Sequence, residues 1–206
     1  PALSSSHLAA RPDGRILVGD NRIAALPAGK VGGRALVQGD GIGALAFAPD
    51  GSLLVAGDQT GRVALWDGRL RQRVGVLRNV FPALSDAIGD GVFGDTSEAV
   101  SALAISPDGH TLAVGGEAGS LQLWDIATQQ PLGSALTTSG AEIDTVAFSA
   151  DGGTVYAGSA HVPMQRYPID PARAVETVCA RADGAGLTRA QWRTYAPDVP
   201  YRRVCG

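Results

Sequence analysis

Short runs of small and branched apolar residues, broken by polar turns, recur in a fixed order along most of the chain. In the clearest stretch, Ile42 to Ala48 is followed by the turn Pro49-Asp50-Gly51 and by the continuous apolar segment Leu53-Leu54-Val55-Ala56-Gly57. A second turn, Asp58-Gln59-Thr60-Gly61, then leads into Arg62-Val63-Ala64-Leu65-Trp66-Asp67. Alternation of Val63 and Leu65 with Arg62 and Ala64 predicts a strand with one wetter face. The unbroken run 53–57 predicts a strand buried on both faces. The same order returns from Val100 to Asp125 and from Ile143 to Tyr167, and in a degenerate form from His7 to Leu26, where the second turn is two residues shorter and no Trp follows.

The turns make the repeat explicit. Pro12-Asp13-Gly14, Pro49-Asp50-Gly51, Pro107-Asp108-Gly109 and Ala150-Asp151-Gly152 are versions of one phrase, and Trp66-Asp67 and Trp124-Asp125 stand sixteen residues after Asp50 and Asp108. Tyr167 keeps that offset from Asp151. A period of about 40 residues predicts a four-stranded blade. Asp recurs at these positions because turns use Asp-Gly, without any need for a carboxylate site.

These units resemble WD repeats of the β-propeller family over roughly residues 6 to 170. The resemblance implies an all-β fold of about four blades, at about 6–37 (degenerate), 38–79, 98–138 and 139–170, within a propeller segment 1–170. A half-ring would leave apolar faces open, so the chain reads as the last blades of a larger propeller, with a four-bladed ring as the alternative. WD repeats commonly carry a Gly-His pair and an Asp in the second turn. No Gly-His pair stands before the first strand of a unit, and Thr60 and Ala118 occupy the positions of that Asp. Trp66, Asp67, Trp124, Asp125 and Tyr167 are therefore read as structural, with each indole N–H needing a backbone acceptor.

Between the two best repeats the spacing swells to 58 residues, and the excess falls in 80–97. By analogy with WD repeats this insertion belongs to the top of the ring. Beyond Asp170 the period changes. Asp170-Pro171 opens a helix with Val175, Val178, Cys179 and Ala182 on one face, and Thr188 with Gln191 forms a capping box before Trp192. The segment 171–206 is thus expected to be a helical cap whose apolar faces cover the last blade near Val155 and Tyr167. Val178-Cys179-Ala180-Arg181, Leu187-Thr188, Gln191-Trp192, Tyr195 and Pro200-Tyr201-Arg202-Arg203-Val204-Cys205 together resemble the C-terminal signature of actinobacterial multidomain proteins that carry WD repeats behind a STAND-type NTPase, which implies an upstream NTPase domain. Cys179 and Cys205 either pair, closing a loop, or stay reduced and buried.

Composition narrows the function. The 206 residues include 28 Gly, as many short strands with tight turns require, and the net charge is −3. No basic stripe supports a nucleic-acid partner, no apolar run supports a membrane span, and the chain starts at Pro1 as if it were the tail of something longer. His7, His110 and His161 lack metal-ligand spacing, and Gly39-Asp40-Gly41-Ile42-Gly43 is followed by a strand, which excludes a dinucleotide loop. No catalytic residue, metal or cofactor is expected. The reading is a protein-interaction or ligand-sensing scaffold of a cytoplasmic bacterial signalling protein. Its expected contact residues are the loop tips Asp40, Gln59, Glu98, Glu117 and Glu142 with Phe81 and Phe93 of the insertion. The alternative is a lactonase-like propeller hydrolase with a central-channel site.

Overall fold

The structure, a computed structural model, describes residues 7–37, 41–81, 98–138, 141–182, 186–195, 197–203 and 205. It divides into two compact units, residues 1–166 and 167–206. The first is a series of antiparallel sheets, each built in chain order. β1 (Leu8–Ala10), β2 (Ile16–Gly19), β3 (Arg22–Ala25) and β4 (Lys30–Gly33) form the first, and β5 (Ile42–Phe47), β6 (Leu53–Asp58), β7 (Val63–Asp67) and β8 (Arg73–Leu77) the second. β9 (Val100–Ile105), β10 (Thr111–Gly116) and β11 (Ser120–Asp125) continue into a split outer strand, β12 (Gln130–Pro131) and β13 (Leu136–Thr137). β14 (Thr145–Phe148), β15 (Thr154–Gly158) and β16 (Gln165–Pro168) make the last sheet.

Each Asp-Gly turn closes in one way. The carboxylate accepts the amide two residues on, from Asp13 to Arg15 (3.0 Å), Asp50 to Ser52 (2.9 Å), Asp108 to His110 (3.0 Å) and Asp151 to Gly153 (3.1 Å). The following glycine takes a φ of 69° to 76°, which a side chain would resist. The register then pairs equivalent residues in successive sheets, Leu54 with Trp66 and Leu112 with Trp124.

The core lies between blades. Val18, Leu36, Leu54, Ala56 and Trp66 bury the interface of the first and second sheets, while Val55, Leu65, Leu77, Val100, Leu112 and Trp124 bury that of the second and third. Both faces of β6 are covered, as the apolar run 53–57 predicts. Close approach of the inner strands depends on Gly43: a Cβ there would stand 1.9 Å from the Val100 carbonyl oxygen.

In the second unit, α1 (Pro171–Arg181) starts at Asp170, whose side chain accepts the Ala172 amide at 2.9 Å. Before α2 (Arg189–Tyr195), the Thr188 amide donates to Gln191 Oε1 and the Gln191 amide to Thr188 Oγ1 at 2.9 and 3.3 Å, a reciprocal capping box. Cys179 and Cys205 are joined by a disulfide, which resolves the two alternatives in favour of pairing. Trp192 donates its indole N–H to the Val199 carbonyl at 2.8 Å and meets Tyr201 edge-on at 5.8 Å. Val175 and Val178 of α1 are 42 % and 63 % exposed.

Candidate binding surface

The two Trp-Asp pairs are inter-blade fasteners. The Trp66 indole N–H donates to the Leu36 carbonyl (2.9 Å) and that of Trp124 to the Val80 carbonyl (3.3 Å). Each acceptor lies three residues beyond the outer strand of the preceding blade, β4 or β8. Arg34 lies over the Trp66 ring, 5.3 Å from its centre, and also donates to the Leu70 carbonyl. The partner carboxylates order the next turn: Asp67 accepts the Gln72 amide (2.6 Å) and Asp125 the Thr128 amide and hydroxyl (both 2.7 Å). Burial pushes the Asp67 carboxyl up, but the amides of Gln72, Arg71 and Arg69 and the Arg71 charge outweigh it and leave the pKa below the usual value. The Thr128 hydroxyl and amide lower that of Asp125. Tyr167, half-buried in β16, has its phenol pKa raised by burial.

The sheet ends that carry the β6–β7 and β10–β11 turns gather several of the expected contact residues. Gln59 and Glu117 occupy equivalent turn positions and are exposed, and Glu142, just ahead of β14, is exposed as well. Glu98 starts at the same end but turns inward. Its Oε1 accepts the amides of Ala118 (2.7 Å) and Ser120 (3.2 Å), so it closes a turn instead of offering a free carboxylate. In the neighbouring blade Asp58 does this from inside the turn, accepting the amides of Thr60 (2.9 Å) and Arg62 (3.0 Å) and the Thr60 hydroxyl (2.8 Å). The acidic turn group absent at Thr60 and Ala118 is therefore supplied from other positions. Asp58 was visible in the sequence as a turn-opening Asp.

Phe81 requires a plainer correction. It is only 3 % exposed and belongs to the core between the second and third sheets, not to a partner-facing lid. The Val80 amide donates to the Gly61 carbonyl (3.1 Å), and this bond carries the chain inward straight after β8. The signal that could have placed Phe81 is its counterpart Val37, which follows Leu36 as Phe81 follows Val80 and is likewise buried. Asp40 and Phe93 lie outside the described residues.

The inner strands β1, β5, β9 and β14 together line a cleft of about 240 Å³. Its walls are largely Gly43, Ala44, Leu45, Ala102 and Leu103, with His7, Ser101, Asp144 and Thr145 as polar members. The Ser101 hydroxyl is committed to the Ile143 carbonyl at 2.8 Å, and His7 Nδ1 stands 3.9 Å from Asp20. Among the described residues, no three His, Cys, Asp or Glu side chains are grouped to hold a metal. None of the helices there is long and apolar enough to cross a membrane.

Blades in chain order, Trp fasteners and turn carboxylates together describe a β-propeller segment. Residues 23–167 match the family model described as Nucleolar protein 10-like, N-terminal domain, itself a β-propeller domain. The chain belongs to this family. The matched span of the Nucleolar protein 10-like domain runs from β3 to the middle of β16 and takes in both Trp fasteners. The chain is also similar to the ribosome biogenesis protein enp2 homolog of Schizosaccharomyces pombe, 31 % identical over 91 residues. That stretch is 44 % of this chain and only 14 % of the relative's length.

Proposed function

We propose that this chain is a non-catalytic protein-binding module that recognises its partner through the exposed sheet ends around Gln59, Glu117 and Glu142. The observation that carries the reading is the division of labour among the acidic residues there. Glu98 and Asp58 are consumed in holding turns, while Glu117 and Glu142 remain exposed on the rigid ends of packed strands. Polar groups held on a stiff scaffold with nothing to stabilise inside the molecule suit recognition. The central cleft favours this over the hydrolase alternative, since most of its wall is glycine, alanine and leucine and its serine hydroxyl is already bonded.

In this reading the module, residues 1–170 followed by a tail from 171, works inside a longer protein. The tail signature points to a bacterial signalling protein with an upstream NTPase. The similarity to a ribosome biogenesis protein favours a second setting, a scaffold within an assembly pathway, for which the same surface serves. Placement in the cytoplasm sits poorly with the bonded Cys179–Cys205 pair, because structural disulfides persist chiefly in oxidising compartments. Partner capture by the full-length protein, identified by mass spectrometry, should fall at least tenfold for Gln59→Ala/Glu117→Lys/Glu142→Lys. Unchanged capture would move the interface elsewhere, and metal-dependent lactone turnover by the purified chain would replace the reading with the hydrolase.

A further inference from the structure

A second surface on the propeller carries the opposite charge. On one face of the second sheet, β7 and β8 pair Ala64 with Val76 as an apolar floor, and Val37 of the preceding connection forms a wall. Around this floor stand the guanidinium groups of Arg62, Arg73 and Arg78, with Asp58 at the base, enclosing a notch of about 40 Å³. Three cations against one carboxylate make the notch positive in a chain whose net charge is −3. All three arginines are exposed, and among the described residues their side chains make no hydrogen bond or ion pair. Asp58 offsets only one of these three charges. It is 1 % exposed, and its Oδ1 is occupied by the Thr60 amide and hydroxyl and the Arg62 main-chain amide, which holds the turn carrying Arg62 in place.

We propose that this notch binds an acidic side chain of an extended partner segment that lies along β8. One water needs roughly 10–15 Å³, so the notch has space for a single carboxylate-sized group, and guanidinium forks match a carboxylate in two parallel hydrogen bonds. Among the described residues β8 is the outermost strand of its sheet and pairs only with β7, so its outer edge offers main-chain partners to an extended peptide. An arginine notch also attracts phosphate. Nucleic acid, however, is held by neutralising several phosphates along a track, and here the cations converge on one small recess of an acidic chain. An acidic protein segment is the better match. This inference rests on the protein-binding reading and names the chemistry of a partner for it.

Fluorescence anisotropy with labelled hexaglutamate tests the proposal, using the whole chain. Wild-type protein should bind hexaglutamate, and Arg73→Glu/Arg78→Glu should weaken binding at least tenfold, while Arg15→Glu/Arg22→Glu, elsewhere on the surface, should change it less than twofold. The melting temperature controls for folding, and Arg73→Gln/Arg78→Gln replaces the reversal pair if that variant melts early. Equal binding by the variants and wild type, or no binding by wild type, would overturn the proposal. Tighter binding of a single-stranded RNA hexamer would overturn it in favour of nucleic acid. If hexaglutamate fails while partner capture still depends on Glu117 and Glu142, the notch falls and the protein-binding reading stands.

Discussion

Asp58 and Glu98 perform one task from different places. Asp58 sits inside the β6–β7 turn and accepts the amides of Thr60 and Arg62, whereas Glu98 reaches over from ahead of β9 to accept the equivalent amides of Ala118 and Ser120. The position in β10 that corresponds to Asp58 is Gly116, where a Cβ would fall 2.1 Å from Glu98 Oε1. The turn carboxylate has exchanged its seat between the blades.

That exchange predicts a rescue. Asp58→Ala leaves part-buried amides unsatisfied and should cost about 1–3 kcal/mol in urea melts, with Glu98→Ala near the lower end of that range because its site is less buried. In the Glu98→Ala background, Gly116→Asp is expected to recover at least half of the loss, whereas in wild type it clashes and destabilises. Additive losses in the double variant would show that the two carboxylates are not equivalent.

The fasteners separate packing from hydrogen bonding. Trp124→Phe keeps most of the buried ring and removes the donor to Val80, for an expected loss of about 1–2 kcal/mol. Trp124→Ala should cost about 3–5 kcal/mol. Equal losses for the two, measured by denaturant unfolding, would mean that the indole bond rather than the ring area carries the anchor.

Gly43→Ala tests the closeness of the inner strands. The added methyl meets main chain, the Val100 carbonyl, which cannot rotate away as a side chain would. Overpacking of this kind costs about 1–3 kcal/mol. The melting temperature should drop accordingly, and faster amide exchange should appear in β5 and β9. A neutral substitution would contradict the described approach.

Acid should loosen the turns. The Asp50 carboxyl is held below its usual range by the Ser52 hydroxyl and amide, and that of Asp108 by the Ser106 hydroxyl and the His110 amide, with Asp67 and Asp125 lowered as well. An unfolded Asp titrates near pH 3.9, so between that value and the lower folded values the unfolded chain binds more protons. The contribution of these groups is fully present above about pH 4 and is lost as pH falls through the folded pKa values. Melting temperature should decline over that acidic window, and Asp108→Asn should flatten the decline. A curve that is flat below pH 4 for wild type would contradict the assignment.

The strands were legible because an Asp-Gly turn followed by an apolar run recurs in every unit, and in the two clearest units a Trp-Asp pair closes it at fixed spacing. The acceptors of the two indoles were predicted in kind, as backbone, but not in place, since Leu36 and Val80 are distant in sequence from Trp66 and Trp124. Phe81 looked like a loop aromatic because it borders a long insertion. Only the buried counterpart Val37 shows that the chain is still within the blade connection there. Glu98 misled for a similar reason: a carboxylate at a strand start reads as a tip, and nothing local reveals amides twenty residues downstream. The positive notch was not legible in the arginine-rich stretch 69–78, since Arg62 joins Arg73 and Arg78 only when β7 pairs with β8.

Both fasteners point backwards along the chain. The Leu36 carbonyl precedes Trp66 by 30 residues, and that of Val80 precedes Trp124 by 44. On a ribosome adding about 5–20 residues per second, each acceptor emerges roughly 2–9 seconds before the donor that claims it. A newly made blade therefore finds the seat for its tryptophan already exposed, and assembly follows the order of synthesis. Breaking the chain between blades separates a latch from its catch, so the second half inherits an indole with nothing to hold.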